Sequence, residues 1–427
     1  MKLMNARGMN DFSPEEKIAR NELIDLLRGT FERFGFSPME TPIVERMDIL
    51  AAKYAGGAEI MKETFSFRDQ GKRELGLRYD LTVPLARFIG MNPTIKLPFK
   101  RYMIGEVFRD GPVKLGRMRQ FMQCDVDTVG TASMLADAEC IKIAQSVFAE
   151  LKFDVTIEVN NRKLLNGILK SCEIPENRWG ETILEIDKMK KIGMESVVKE
   201  LQAKGIRNEA TTKLIEILGT KGSNFEKLEK LKRLCDSREA ADGIKEMESL
   251  LSFIDENNVK FSLGLARGLA YYTGTVFETF INTKEIESSL CAGGRYDKII
   301  GDYIGSNKEF PAVGISFGME PILAALEKKG KASAKKRITE LYIVPIQTLD
   351  ESQKIVDKLR AAGINTEIDL MDRSISKNLA FANSQSIPFV GIIGGDELQQ
   401  KKVKIKDMVS GEESLLSIKE LIKKLSR

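Results

Sequence analysis

Residues 116–127, GRMRQFMQCDVD, alternate with a period of two, and no other stretch constrains the fold as tightly. The even positions Met118, Gln120, Met122, Cys124 and Val126 are mostly apolar and suit a core. The odd positions Arg117, Arg119, Phe121, Gln123, Asp125 and Asp127 place two cations, an aromatic ring, an amide and two carboxylates on one strand face. Upstream, FKRYMIGEVFRDG reads as a strand ending in Arg109, and the loop DGPVKL leads from it into the graded strand. The pair forms a strand–loop–strand with Arg109, Arg117 and Arg119 at one end. Three guanidiniums are costly to bring together without an anion between them, and a polyphosphate is the candidate, with Phe121 offering a ring face to a base. A solvated basic hairpin accounts for Arg117 or Arg119 equally well.

The rest of the chain divides by texture. Residues 14–35 have the spacing of an amphipathic helix, capped by Ser13 ahead of Pro14. FSPMETPIVER is extended, residues 62–130 carry short strands with one helix starting near Thr82, and FDVTIEVN is a strand. From about 161 to 255, Lys, Glu and Leu dominate with helical periodicity, which marks an inserted helical module. Strands resume in KFSLGLARGLAYYTGTVFETFI and continue to FPAVGISFG, followed by a helix. The basic stretch KKGKASAKKR, 328–337, is a linker, and beyond it strands and helices alternate as in a small α/β domain with a mostly parallel sheet. The expected domains are therefore a mixed core in two parts (1–160 and 256–327), the helical insertion 161–255, the linker, and an α/β domain over 338–427.

Other stretches share the polar character of the first. LGLRYDLTVPLAR puts Arg78, Asp80 and Thr82 on one strand face, although a capping Thr82 and a surface ion pair for Asp80 explain them alone. GLARGLAYYTGTVFE places Arg267 among small residues and tyrosines, with few local carboxylates to pair with. Arg267 and Tyr272 differ in strand parity, so their cooperation needs a turn or bulge near Gly268. Gly293 and Gly294 in SLCAGGRYDKII read as a turn, and Gly314 and Gly318 in AVGISFGMEPILAAL as close strand–helix packing.

Composition excludes several chemistries. The 427-residue chain contains no histidine, which removes histidine bases, histidine metal ligands and Ser-His-Asp triads. Its five cysteines form no CxxC pair, against a disulfide framework or a zinc site and in keeping with a reducing cytoplasm. No apolar run approaches the about 18 residues that span a bilayer, and the N-terminus lacks the apolar core of a secretory signal. A net charge of +4 is compatible with nucleic acid without implying it.

Taken together, these stretches resemble the class II histidyl-tRNA synthetases. RGMNDFSP resembles the family's N-terminal signature, and TPIVE around Pro42 the motif that builds its dimer interface. GEVFRDGPVKLGRMRQFMQ resembles motif 2, and LARGLAYYTGTVFE and CAGGRYD the two histidine-specific motifs. The resemblance runs from residue 7 to about 325, and the last α/β domain resembles the family's anticodon-binding module. It implies an α+β catalytic domain built on an antiparallel sheet, ATP with Mg2+, L-histidine, tRNA(His) and a homodimer. By the resemblance, Arg109 holds the α-phosphate, Arg117 the outer phosphates, and Phe121 the adenine. Gln123 takes the amino acid's backbone end, Asp80 and Thr82 its ammonium, and Asp127 one imidazole nitrogen. Tyr272, with Tyr271, bonds the other nitrogen, and Arg267 contacts the carboxylate and α-phosphate as a catalytic residue beside Arg109. Three positions depart from the pattern. Gly111 stands where motif 2 has glutamate, Ala270 where an acid is common, and Pro321 where motif 3 has an arginine. A histidine-binding regulatory paralogue and a class II synthetase for another amino acid are the competing readings. Retention of Arg267, Tyr272 and the α/β tail ranks the first below the ligase, and Asp127 with Tyr272 disfavours the second.

Overall fold

The computed structural model describes residues 2–51, 61–113, 118–266, 271–283, 288–305, 308–330 and 336–426. Arg117, Arg267, Gly268, Ala270 and linker residues 331–335 lie outside them. The chain forms two units, residues 1–10 with 23–326 and residues 11–22 with 327–427.

The first unit is built on an eight-stranded sheet. Its strand order is Ser37–Pro38, Phe99–Phe108, Gln120–Val129, Ala312–Gly318, Cys291–Arg295, Thr275–Ile281, Val155–Asn161 and Val259–Phe261. The six inner strands pair antiparallel, and only the short edge strands run parallel to their neighbours. The sheet splits its residues as the period-two pattern requires: Cys124 and Val126 are fully buried in the core. That core also takes Phe31 of the Pro14–Arg33 helix and Phe148 of Met134–Glu150, each packed against Phe317. Ser13 and Glu16 form the reciprocal cap of the first helix.

Between Arg162 and Ser252 the regular elements among the described residues are all helices, from Arg162–Ser171 to Arg238–Ser252. Those two helices cross at backbone contact: a Cβ on Gly167 would stand 2.2 Å from the Ala240 nitrogen, and one on Gly243 2.3 Å from that of Leu164. Leu164, Ile168 and Leu250 join the same apolar cluster as the sheet.

The second unit has a five-stranded sheet in the order Thr366–Ile368, Leu341–Pro345, Phe389–Ile393, Lys402–Asp407, Glu413–Ser417. Only the first three strands run parallel; the last two form an antiparallel hairpin. The expected mostly parallel sheet is corrected on this point. The short connection after Asp407 turns the chain straight back, with Gly411 at φ 77° and the Asp407 carboxylate accepting from the Val409 and Ser410 N–H groups.

Candidate active site

A cavity of about 570 Å³ opens on the large sheet, a volume suited to a small-molecule ligand. Phe121, Gln123, Asp125 and Asp127 of the graded strand line it, as do Asp80, Thr82, Arg109, Tyr271 and Tyr272. Of the sequence-derived candidates, eight therefore meet at one place, while Arg117 and Arg267 lie outside the described residues. Met118 and Met122 also reach the wall, so the two strand faces are less strictly divided at that end than the alternation predicts.

Several local readings change. The Glu74–Leu77 strand stops before Arg78, so Arg78, Asp80 and Thr82 share no strand face. Arg78 is buried and donates to the Thr41 and Glu106 carbonyls, a structural role. The chain turns into the Thr82–Met91 helix, and the Asp80 carboxylate, not Thr82, accepts the Val83 N–H at its start. Loss of hydration pushes the Asp80 carboxyl up to about 6, against the opposing Val83 hydrogen bond and the charge of Arg109.

At the basic end, Arg109 Nε donates to the Tyr79 carbonyl at 3.0 Å, and the guanidinium lies 5.1 Å from the centre of the Phe121 ring. Arg119 does not join it there. It pairs with Asp110 at 2.8 Å and donates to the Gly111 carbonyl, which bears out the simple basic-hairpin reading for this residue.

At the acidic end the structure supplies residues the sequence did not single out. Antiparallel register sets Arg101 opposite Asp127, and the two form a buried ion pair at 2.7 Å. Tyr296 donates its hydroxyl to the other Asp127 oxygen. Both partners hold the carboxylate in one orientation, while burial raises the pKa values of Asp127 and Tyr296. The neighbouring strand supplies Ser316, paired with Asp125, and Gly314, paired with Asp127. Arg101 and Ser316 are legible only once register is known, since neither belongs to the polar pattern of its own strand.

The glycines acquire reasons different from those expected. Gly293 and Gly294 lie within the Cys291–Arg295 strand rather than in a turn, and a Cβ on Gly294 would press on the Tyr272 ring at 2.8 Å. Gly314 makes room for a carboxylate rather than for a helix: a Cβ there would sit 2.0 Å from Asp127 Oδ1 and 2.8 Å from the Val126 carbonyl. Gly314→Ala is therefore expected to destabilise the first unit by about 1–3 kcal/mol, read from its urea midpoint. An unchanged midpoint would refute the close fit. Arg295 is tied into the protein by Asp137, Asp297 and the Thr131 carbonyl, so within CAGGRYD it is Tyr296 that faces the site. Pro321, in the first turn of the Met319–Lys328 helix, lines the cavity and presents no cation to it.

Comparison with known proteins agrees with this architecture. The family model described as histidyl-tRNA synthetase matches residues 8–322, and that described as anticodon binding domain matches residues 340–427. A histidine–tRNA ligase of Bacillus cereus is 42% identical, with 99% of each chain covered. One from Clostridium tetani is 38% identical over 97% of this chain and 96% of its own. The crystal structure of a histidyl-tRNA synthetase from Nostoc sp. superposes with a TM-score of 0.90 at 33% identity, covering 100% of this chain and 99% of the other. With one such model spanning the large sheet and relatives matched end to end, the chain belongs to the histidyl-tRNA synthetase family.

Proposed function

We propose that the protein attaches L-histidine to tRNA(His) through a histidyl-adenylate. The observation that carries this reading is the polarity of the cavity. Arg109 and Phe121 stand at one end, the buried Asp125 and Asp127 at the other, and Asp80, at the start of the Thr82–Met91 helix, lines the cavity as well. A triphosphate with its base fits the first end and a cationic amino acid the second.

Arg109 binds the α-phosphate and Phe121 stacks on adenine, with Arg117 on the outer phosphates. Gln123 takes the amino acid's backbone end, and Asp80 and Thr82 its ammonium group. Asp127 and Tyr272 bond the two imidazole nitrogens beside Tyr271. Such a pocket rejects side chains that leave its polar groups unpaired. The histidine carboxylate attacks the α-phosphorus, an O–P bond forms, and pyrophosphate departs with the electrons of the broken anhydride bond. Arginines Arg109 and Arg267 stabilise the added negative charge, and no protein base is needed. The terminal ribose hydroxyl of the tRNA then attacks the adenylate carbonyl and releases AMP.

Mg2+ enters as part of the ATP substrate; among the described residues no group of three or more Asp, Glu or Cys side chains is placed to hold a metal. A homodimer is proposed through the segment around Pro42, where Ile43, Val44 and Phe67 leave apolar surface exposed. The domain at 340–427 reads the anticodon, and the basic residues around 328–337 contact phosphate. Translation places the protein in the cytoplasm; no helix among the described residues is long and apolar enough to cross a membrane.

The test is histidine-dependent ATP–pyrophosphate exchange, run with all twenty amino acids. Exchange with histidine alone is expected; binding of histidine without exchange would overturn the ligase reading. The same assay examines Asp80. Asp80→Asn keeps a cap for the helix but removes a charge that is present above about pH 6. Its KM for histidine is expected to exceed the parent's by about tenfold at pH 8, with the ratio falling towards one below pH 6. The substrate's own titration affects both proteins alike, so a ratio independent of pH would rule out the ionised carboxylate.

A further inference from the structure

Asp125 is unaccounted for by the roles above. It is 5% exposed, lines the cavity, and its Oδ1 has no hydrogen-bond partner among the described residues. Nor has Oε1 of Gln123, two residues earlier on the same strand face. Ser316 links them: its hydroxyl accepts from Gln123 Nε2 at 2.9 Å and lies within hydrogen-bonding reach of Asp125.

The charge balance around Asp125 is incomplete. Two buried cations lie near it: Arg101 sits 2.7 Å from Asp127, which also has Tyr296, and Arg78 donates to the Thr41 and Glu106 carbonyls. Asp125 feels Arg101 more weakly than its loss of hydration, and it is repelled by both Asp127 and Asp80, so its carboxyl is pushed up. Two carboxylates from different elements, Asp80 and Asp125, thus repel one another at a cavity both line. A ligand cation placed between them removes that repulsion and gives each acceptor a donor.

We infer that Asp125 is a further ligand-binding residue that joins Gln123 Oε1 in binding the ammonium group of the amino acid, and that Ser316 is the positioning residue holding both acceptors. This rests on the ligase reading for the identity of the amino acid. Gln123 spends one amide hydrogen on Ser316, which turns its oxygen rather than its NH2 group to the ligand. Asp125 supplies the charge that Gln123 lacks. An analogue without the ammonium gains nothing from either.

The experiment is calorimetric titration of the full chain and of Asp125→Asn with three ligands. They are L-histidine, histidinol, which keeps the ammonium and lacks the carboxylate, and imidazolepropionate, which keeps the ring and lacks the ammonium. The substitution is expected to weaken L-histidine and histidinol by about 10- to 100-fold and to leave imidazolepropionate unchanged. Ser316→Ala is expected to show the same selectivity with a loss of about 3- to 10-fold. Equal weakening of imidazolepropionate would mean that Asp125 faces the ring, and affinity for L-histidine within about twofold of the parent would mean that it faces no ligand; either overturns the inference. Failure of the parent to bind any of the three overturns it as well. Binding with this selectivity, but without pyrophosphate exchange by the parent, removes the ligase reading and leaves the Asp125 site standing. Loss of a repelled buried charge should not unfold the protein, and the fluorescence of the single tryptophan, Trp179, verifies folding in the same unit.

Discussion

Arg101→Met is expected to destabilise the first unit by about 3–5 kcal/mol, among the largest effects of any single change in the molecule. Arg101 is 1% exposed, donates to the Leu81 carbonyl, and pairs with Asp127 at 2.7 Å. Methionine fills much of the same volume, so little of the loss comes from a cavity. The loss comes from Asp127, which would be left as a buried carboxylate without its paired cation, and from Asp125, which would keep only the charge of Arg78. Both pKa values already stand above the ordinary carboxylate range because of burial, with Arg101 as the opposing influence. Urea unfolding followed by Trp179 fluorescence measures this, since that residue reports on the unit that contains Arg101. Adding Asp127→Asn should recover part of the loss, because the charge that made the site costly is gone. Additive losses in the double variant, or a single variant within about 0.5 kcal/mol of the parent, would show that the pair is not what holds this end of the sheet.

Arg109→Ala is expected to lower the rate constant of histidine-dependent exchange by about 100- to 1000-fold, with little change in the KM for histidine. Its guanidinium is fixed before any ligand arrives, by the Tyr79 carbonyl at one nitrogen and the Phe121 ring beneath it. Fixed donors need no reorganisation as negative charge builds on the α-phosphate. Pro321 brings no cation to the cavity wall, so the remaining arginines carry more of this task. Arg109→Lys should recover only a small part, because a flexible ammonium cannot stack on Phe121 and donate in two directions at once. An unchanged unfolding midpoint would show that the loss is chemical. Retention of the rate within about threefold would place the phosphates elsewhere.

The absence of histidine from the chain has no structural counterpart that explains it. Its consequence is direct: the polar roles in the site fall to arginine, carboxylate, hydroxyl and amide groups.

The sequence by itself determined the strand with its two faces, the hairpin through Arg109, the helical stretch after Asn161, and the identity of most groups that meet in the cavity. These are local matters, decided by a period of two or 3.6 and by the chemistry of each side chain. Tertiary structure decided what each group is paired with. Asp127 is held by Arg101 and Tyr296 because one strand register and the end of another, distant strand bring them there. Gly314 is needed because a carboxylate on the adjacent strand fills the space of its missing Cβ. Asp80 caps a helix, although its pattern reads as strand, because the chain turns after Leu77. The hairpin that closes the second sheet was likewise hidden, since its two short strands alternate few apolar residues with lysines and carboxylates and do not stand out. Asp125 shows the division most clearly. Its face is visible in twelve residues of sequence, but its unpaired oxygen is visible only in the structure, where Arg101 lies opposite Asp127 and pairs with that carboxylate.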